Sequence, residues 1–566
     1  MIISTIRDQQ WKKINASLLS FILAIFFLTS SVFAQTHHDW SYNLGVYEVN
    51  IRQYTSAGTF NAFTDNHLDR LEELGVGILW IMPVHPIGEQ NRLGSRGSYY
   101  SVQDYRAVNP NFGTMEDFKR LVEEANQRGM HVILDWVANH TSWDNVLTEE
   151  HPEWYVTNSE GDFIPPPGTN WSDVIELDYS KDELREYMIN TLKFWVDSTG
   201  VEGFRFDAAG FVPDDFWTQA NDSLKAHKPN ILLLAEDDGT KWQDLGFDMS
   251  FGWGLYGFEN GVLLDLVENS ASANSLNSYG TLQKIQYDST HNRMYFTSNH
   301  DINSWEGTTS ELFGDAAEAF AVLTATFHGT PLIYSGQEAG LNKRLSFFEK
   351  DQITWRDHPN EELYSTLLDL KKNNKALWNG YKENQFRRAL TSDNESIFAY
   401  TRQMEGDKVF LMMNLSEEAI TFTFDSDIHL GAYQNVFTEE IESFSSNTEM
   451  ILEGWDYRVY QSGGTSPVFI EEEGEDVQRE EIKLNQNFPN PFNPSTNIGY
   501  SLSTTGEVSL AVYDLLGQKV ETLVDKTQPG GQYSIQFNAE QLSSGVYIYR
   551  LETDQMVISQ KMILIK

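Results

Sequence analysis

From Leu44 to about residue 378 the chain keeps returning to one pattern: a short apolar run that reads as a buried strand, then a stretch with helical spacing. LGVYEVNIRQY (44–54) precedes a helical stretch at 65–74, and VGILWIMPV (76–84) follows it. TMEDFKRLVEEANQRG (114–129) stops at a glycine, as helices commonly do, and leads into HVILDWV. KDELREYMINTLKFWVDSTG (181–200) leads in the same way into VEGFRFD. Further strand candidates lie at 231–235, 247–251, 294–298 and 331–335. Parallel strands need long crossovers, which helices supply, so eight such strands predict an α/β fold, a (β/α)8 TIM barrel over residues 35–378. One connection breaks the rhythm. Between HVILDWV and the helix at 181, about forty residues containing PPPGTNW show little periodicity, and a small inserted loop domain is expected at about 141–178.

Several strand candidates end at or near a carboxylate: Asp135 in HVILDWVANH (131–140), Asp207 in GFRFDAAGF (203–211), Glu236 in ILLLAED (231–237) and Asp301 in MYFTSNHD (294–301). Burying a carboxylate is costly unless it is partnered, and the carboxyl ends of barrel strands are where catalytic groups gather. Neighbouring strands lie roughly 4.8 Å apart, close to the 5–5.5 Å that separates the two carboxyls of a retaining glycosidase. Arg205 is two residues before Asp207, so on a strand it faces the same side, where its charge is expected to keep Asp207 ionised. His300 and Asp301 could hydrogen-bond sugar hydroxyls. Each feature alone has a structural reading: an Arg–Asp pair can be an interior ion pair, and an Asp after a strand can cap a helix. Four in order at barrel spacing favour a site.

Beyond residue 380 the pattern changes to short alternating runs, SIFAYTRQ (396–403), KVFLMMNLS (408–416) and AITFTFDS (419–426), which predict a β-sandwich over 379–461. Residues 462–481 are strongly acidic and read as a linker, and 482–566 again look all-β. At the start, Arg7, Lys12 and Lys13 precede an apolar run from Leu18 to Leu28, with Val32 and Ala34 suited to cleavage after Ala34. This predicts an export signal over 1–34; the competing reading is an uncleaved membrane anchor. No later segment is long and apolar enough to span a bilayer, so the mature chain is expected to lack a transmembrane segment. It has no Cys and would fold outside the cytoplasm without disulfides. A net charge of −42 argues against nucleic acid as a partner. The 15 Trp and 25 Tyr suit sugar platforms, but equally ordinary core.

DWVANH (135–140), GFRFDAA (203–209), AED (235–237) and FTSNHD (296–301) together resemble the four signature segments of the α-amylase superfamily of glycoside hydrolases. GSYYSVQDY (97–105), NPNFGT (109–114) and GTPLIYSGQE (329–338) extend the resemblance over roughly residues 40–460. It implies Asp207 as nucleophile, Glu236 as general acid/base and Asp301 as transition-state stabiliser. It also implies that Arg205, His140 and His300 contact the sugar at the cleavage point, that Tyr100 stacks on that ring, and that Asp135 and Asn139 support the site. The implied activity is retaining cleavage of α-1,4-glucosidic bonds in starch-like glucans. A glucanotransferase or a cyclodextrin- or maltooligosaccharide-acting enzyme uses the same carboxylates, and a non-catalytic glycan-binding relative is the reading from another class. The chain departs from the family pattern where many members carry Lys-His: here stand Gly210 and Phe211. Asn139 matches a family calcium ligand, without identified partners in 141–178. Such a calcium would be structural, because the carboxylate chemistry itself needs no cofactor.

NQNFPNPFNPSTNIGYSL (485–502), VYDLLGQKV (512–520), SSGVYIYRL (543–551) and the ending KMILIK resemble the sorting domain of the type IX secretion system. This implies passage across an outer membrane by that machinery, to a secreted or cell-surface location. An accessory, glycan-binding sandwich is the alternative.

Overall fold

A computed structural model describes residues 39–257, 261–382, 384–462 and, with short interruptions, 483–565. The expected export signal at 1–34 and nearly all of the acidic linker lie outside the described residues. Eight parallel strands close a barrel: β1 (Val46–Val49), β2 (Ile78–Ile81), β3 (His131–Val137), β4 (Gly203–Asp207), β5 (Leu232–Ala235), β6 (Met249–Phe251), β7 (Asn292–Tyr295) and β8 (Thr330–Tyr334). Each pairs with its sequence neighbours, and β8 pairs with β1 through Val46 opposite Leu332. The strands are buried on both faces, by side chains within and helices without, which is why they read as continuous apolar runs rather than alternating ones.

The helices outside follow the expected logic with adjusted ends. The stretch expected at 65–74 is a helix over Phe60–Leu74, because the Thr59 side chain accepts from the Ala62 amide and starts it earlier. Its buried stripe is Phe60, Phe63, Leu68, Leu71 and Leu74, and Gly75 ends it at φ 90°. Met115–Gln127 opens on a capping box in which Thr114 and Asp117 satisfy each other's backbone amides. Only 46–49 of the first apolar run is strand; Ile51–Tyr54 turns at once into a helix capped by Asn50.

The long connection after β3 folds on a two-stranded antiparallel sheet, His140–Ser142 against Val174–Glu176, with a short helix at Leu147–Glu150 between them. Past the barrel, an antiparallel sheet takes the order Gln385–Ala389, Ile397–Met404, Asp407–Asn414, Tyr457–Ser462, Gly431–Asn435, Ile441–Phe444, accompanied by the pair Ile420–Thr423 and Glu449–Leu452. Its central strands are apolar on both faces for a reason. Phe398, Tyr400, Leu411 and Met413 join the barrel core, while the intervening Ile397, Ala399, Phe410 and Met412 form a core of their own.

Residues 467–566 form a separate compact unit of antiparallel strands. Ser495–Leu502 pairs with Gly531–Asn538, and Gly506–Tyr513 pairs with Lys519–Gln528 and Gly545–Thr553. A core including Ile498, Tyr500, Leu510, Val512, Phe537, Tyr549 and Leu551 belongs to this unit alone. Among the described residues, no helix is long and apolar enough to cross a membrane.

Candidate active site

The register of β3 against β4 places Asp135 beside Arg205 and Val137 beside Asp207, and β5 follows with Ala235 beside Phe206. Asp135, Arg205 and Asp207, at alternate positions, therefore share the inner face at the carboxyl end. Arg205, fully buried, is the hub. Its Nη1 donates to Asp135 Oδ1 at 2.8 Å and to Asp207 Oδ1 at 3.0 Å. Its Nη2 is in ion contact with Glu236 Oε1, without the alignment of a hydrogen bond. The guanidinium lies 4.9 Å from the ring of Trp80 and 5.6 Å from that of Tyr100.

Ala208 follows Asp207 in a left-handed conformation, φ 45°, which costs a residue with a Cβ. That turn aims the Ala208 amide at Glu236, whose Oε2 accepts it at 2.6 Å. Glu236 itself continues the ladder, its amide donating to Phe206 O at 3.1 Å.

Asp301 is placed differently from the expectation of a strand end. β7 stops at Tyr295, and Asp301 stands six residues on, where it precedes a single wide helical turn over Ile302–Glu306. The Asn299 side chain shapes this loop by accepting from the Ile302 amide at 2.9 Å. His300, beside it, donates from Nδ1 to Glu48 Oε1 at 2.5 Å. Its Nε2 is 2.8 Å from the Tyr100 hydroxyl, which donates on to Asp135 Oδ2 at 3.1 Å. Asp301 Oδ2 is 3.3 Å from the same Nε2.

The electrostatics follow from crowding. Five carboxylates (Glu48, Asp135, Asp207, Glu236 and Asp301) share two cationic groups, Arg205 and His300. Burial first, then the charge of Glu236, holds Asp207 well above the usual carboxylate range, although Arg205 pulls the other way. The expectation that Arg205 would set Asp207 low is thus corrected: its charge is divided among three carboxylates and loses to burial. Burial also raises Glu236, Asp135 and Glu48. Burial would lower His300, but Asp301 and Glu48 raise it to about 9, so it is an imidazolium at neutral pH. His140, buried without such partners, is lowered to about 3 and is neutral.

All seven of Tyr100, His140, Asp207, Glu236, His300, Asp301 and the aromatic Trp171 border one cavity of about 930 Å³. Arg205 and Asp135 lie beneath it. Asn139 is buried and points at its neighbour, with Nδ2 3.4 Å from His140 Nδ1, while its carbonyl accepts from Leu177. Among the described residues no group of three or more His, Cys, Asp or Glu side chains is placed to hold a metal ion. No step of the chemistry is routed through a metal.

The cavity holds residues that the sequence reading did not single out: Trp253, Trp305, Phe347 and Phe348, without any local pattern to mark them. Glu48 was not singled out either; it lies behind the cavity, against His300, and its signal was a charge inside the otherwise apolar VYEV. The departure at 210–211 also has a local reason. A Cβ at Gly210 would stand 2.4 Å from Asp237 Oδ2, so no side chain fits while Asp237 keeps its place. Phe211 is half exposed and its ring lies 5.6 Å from Trp171.

The sequence profile described as "Alpha amylase, catalytic domain" matches residues 30–420, and the one described as "Secretion system C-terminal sorting domain" matches residues 486–566. Alpha-amylase 3 of Dictyoglomus thermophilum is 26% identical over 468 residues, covering 69% of this chain and 88% of that protein. Among solved structures, an alpha-amylase from Lactobacillus plantarum is 29% identical with a TM-score of 0.66, over 75% of this chain and 100% of that one. A maltogenic alpha-amylase from Thermotoga neapolitana is 28% identical with a TM-score of 0.67, over 75% and 99%.

Proposed function

The chain belongs to the alpha-amylase family of glycosidases and carries a C-terminal type IX sorting domain that marks it for export; from that premise we propose that it is a retaining hydrolase of α-1,4-glucosidic bonds in starch-like glucans. The observation that carries the reading is that one buried guanidinium, Arg205, holds both Asp207 and Glu236 at the floor of the cavity. Carboxylates on the two terminal nitrogens of a single guanidinium are held as near neighbours, as a retaining mechanism, with its separation of about 5–5.5 Å, requires.

Crowding supplies the proton. Burial raises both carboxyls and the charge of Glu236 raises Asp207 further, so the two titrate as a pair that shares a proton. Cleavage needs that proton on Glu236 and Asp207 ionised, so in the working state it passes from the more strongly raised Asp207 to Glu236. Asp207 attacks the anomeric carbon, the glycosidic C–O bond breaks, and Glu236 gives its proton to the departing oxygen. Water then attacks the same carbon, its proton returns to Glu236, and Asp207 is released as carboxylate. Asp301, beside the His300 imidazolium, stabilises the positive charge that develops on the ring. Tyr100 stacks on that sugar, and His140 and His300 donate to its hydroxyls. Arg205 orients the pair and neutralises the charge left on it. Asp135 and Glu48, neither of which borders the cavity, act as positioning residues. The secretion machinery recognises the last domain.

The test is the product stream from maltoheptaose. Proton NMR should show the α-anomer first and only shorter oligosaccharides, and Asp207→Asn should lower kcat by 10⁴ or more, an order of magnitude typical for loss of a nucleophile. Full activity in that variant would refute the assignment. One observation favours a second reading. The half-exposed Phe211 with Trp171 makes an apolar platform on the cavity wall, suited to a sugar acceptor rather than water. Products longer than maltoheptaose would identify a glucanotransferase.

A further inference from the structure

A separate cavity of about 380 Å³ lies at the opposite, amino-terminal end of the barrel. It is bounded by the end of the helix Ala273–Gln286, the first residues of β7, the residues leading into β8, and residues 378–382 and Asn384, with Arg402 from the sandwich. Its charge is anomalous. The chain has 82 acidic against 40 basic side chains, yet among the described residues this wall carries Lys284, Arg293, His328, Lys382 and Arg402 with Asp288 as its one acid, and of these cations only Arg293 is ion-paired, with Asp238.

A solvated basic face would account for the exposed Lys284 and Lys382, but not for what stands behind them. Arg402 is 2% exposed and donates to carbonyls, Phe327 O at 2.5 Å and Trp378 O at 3.3 Å. Lys371, fully buried behind it, donates to Gly329 O and Leu377 O at 3.0 Å each. Among the described residues none of Lys284, Lys371, Lys382 and Arg402 forms an ion pair. Carbonyl dipoles satisfy their N–H groups without cancelling their charge. The resulting positive potential is visible in its neighbours: burial first, then Arg402 and Lys284, keep His328 well below the ordinary imidazole range, and burial and Arg402 lower Lys371. Two residues of the cavity wall also have a buried nitrogen without a hydrogen-bond partner, His328 at Nε2 and Arg293 at Nε, although the Arg293 terminal nitrogens are held by Asp238 and Ser250. Carbonyl capping explains Arg402 and Lys371; it leaves the excess charge and the two orphan nitrogens unexplained.

We propose that this cavity binds a phosphoryl oxyanion, held by Lys284 and Lys382 at its mouth and by the buried His328 Nε2 and Arg293 Nε within. Charge-assisted hydrogen bonds from ammonium and guanidinium groups are the usual means of holding such anions. A free phosphate would fill only part of the volume, and Trp378 and Tyr381 on the same wall leave room for a sugar attached to it. Because the walls come from barrel and sandwich alike, occupancy would also stabilise the folded state.

The full chain should be titrated calorimetrically, and its thermal unfolding followed, with inorganic phosphate, glucose 6-phosphate, glucose and sodium chloride at matched ionic strength. Saturable binding of a phosphoryl ligand with a rise in Tm is expected. Tighter binding of glucose 6-phosphate would identify a sugar phosphate as the natural source, and equal binding a free anion. The double variant Lys284→Gln/Lys382→Gln should weaken binding at least ten-fold, as should His328→Gln, with starch cleavage in the absence of the ligand unchanged. The proposal is overturned if phosphoryl ligands do not saturate, if chloride or glucose alone produces the same effect, or if the variants bind as the parent does.

Discussion

His300 is flanked by Glu48 on one ring nitrogen and by Tyr100 and Asp301 on the other, and its folded pKa of about 9 lies above the ordinary 6.5. A base whose pKa rises on folding adds stability that is complete below about 6.5 and is lost as pH climbs towards 9. The span corresponds to about 3 kcal/mol. Glu48→Gln keeps the shape and removes a charge, so the imidazole should titrate nearer 6.5 and that loss should shrink. Urea unfolding of both proteins at pH 6 and pH 9 measures it; parallel losses would mean that Glu48 does not hold the proton on His300. The same variant should move the alkaline limb of the activity profile to lower pH. On the opposite wall, Phe211→Ala removes a ring worth about 1 kcal/mol of stacking, so KM for long oligosaccharides should rise roughly five-fold while kcat on short ones stays put. The places of Asp207, Glu236 and Arg205 were readable because each sits in a short segment whose apolar run fixes its position on the rim, whereas the His-Asp pair at 300–301 lies beyond the end of its strand. Glu48 was not read, since a lone acid in a strand says nothing of the histidine it meets 252 residues away.

At the level of elements, periodicity located strands and helices while caps decided where they ended. The helix Met115–Gln127 depends on Thr114, whose side chain and Asp117 close the capping box. Thr114→Ala should lower unfolding free energy by about 1 kcal/mol, seen as a shift in the denaturant midpoint at unchanged m-value. Where two elements compete, local reading failed in a definite way. MYFTSNHD looks like one strand running to Asp301, but β7 ends at Tyr295, and the polar TSN that follows forms side-chain bonds of its own: Thr297 accepts from Gln337, and Asn299 from the Ile302 amide. The sandwich strands were expected to alternate; the outer ones do, but the central Ile397–Met404 and Asp407–Asn414 are apolar on both faces, because the barrel covers the side that would otherwise meet water.

For the whole molecule, two compact units with separate cores divide the work. Deleting residues 467–566 should leave starch cleavage by the remaining chain within two-fold of the full protein, yet abolish its appearance outside the cell; immunodetection in medium and cell fractions checks this. Alternation of strands and helices, the rim carboxylates and the change to all-β texture after residue 380 are consequences of local spacing, and spacing is written in the sequence. Tertiary structure alone decided that one guanidinium serves three carboxylates, that burial outweighs it at Asp207, that Asp237 leaves no space for a side chain at 210, and that cations collect at the far end of the barrel. Each depends on desolvation and on charges a few ångströms apart in space but far apart in the chain, and those distances exist only once the barrel has closed.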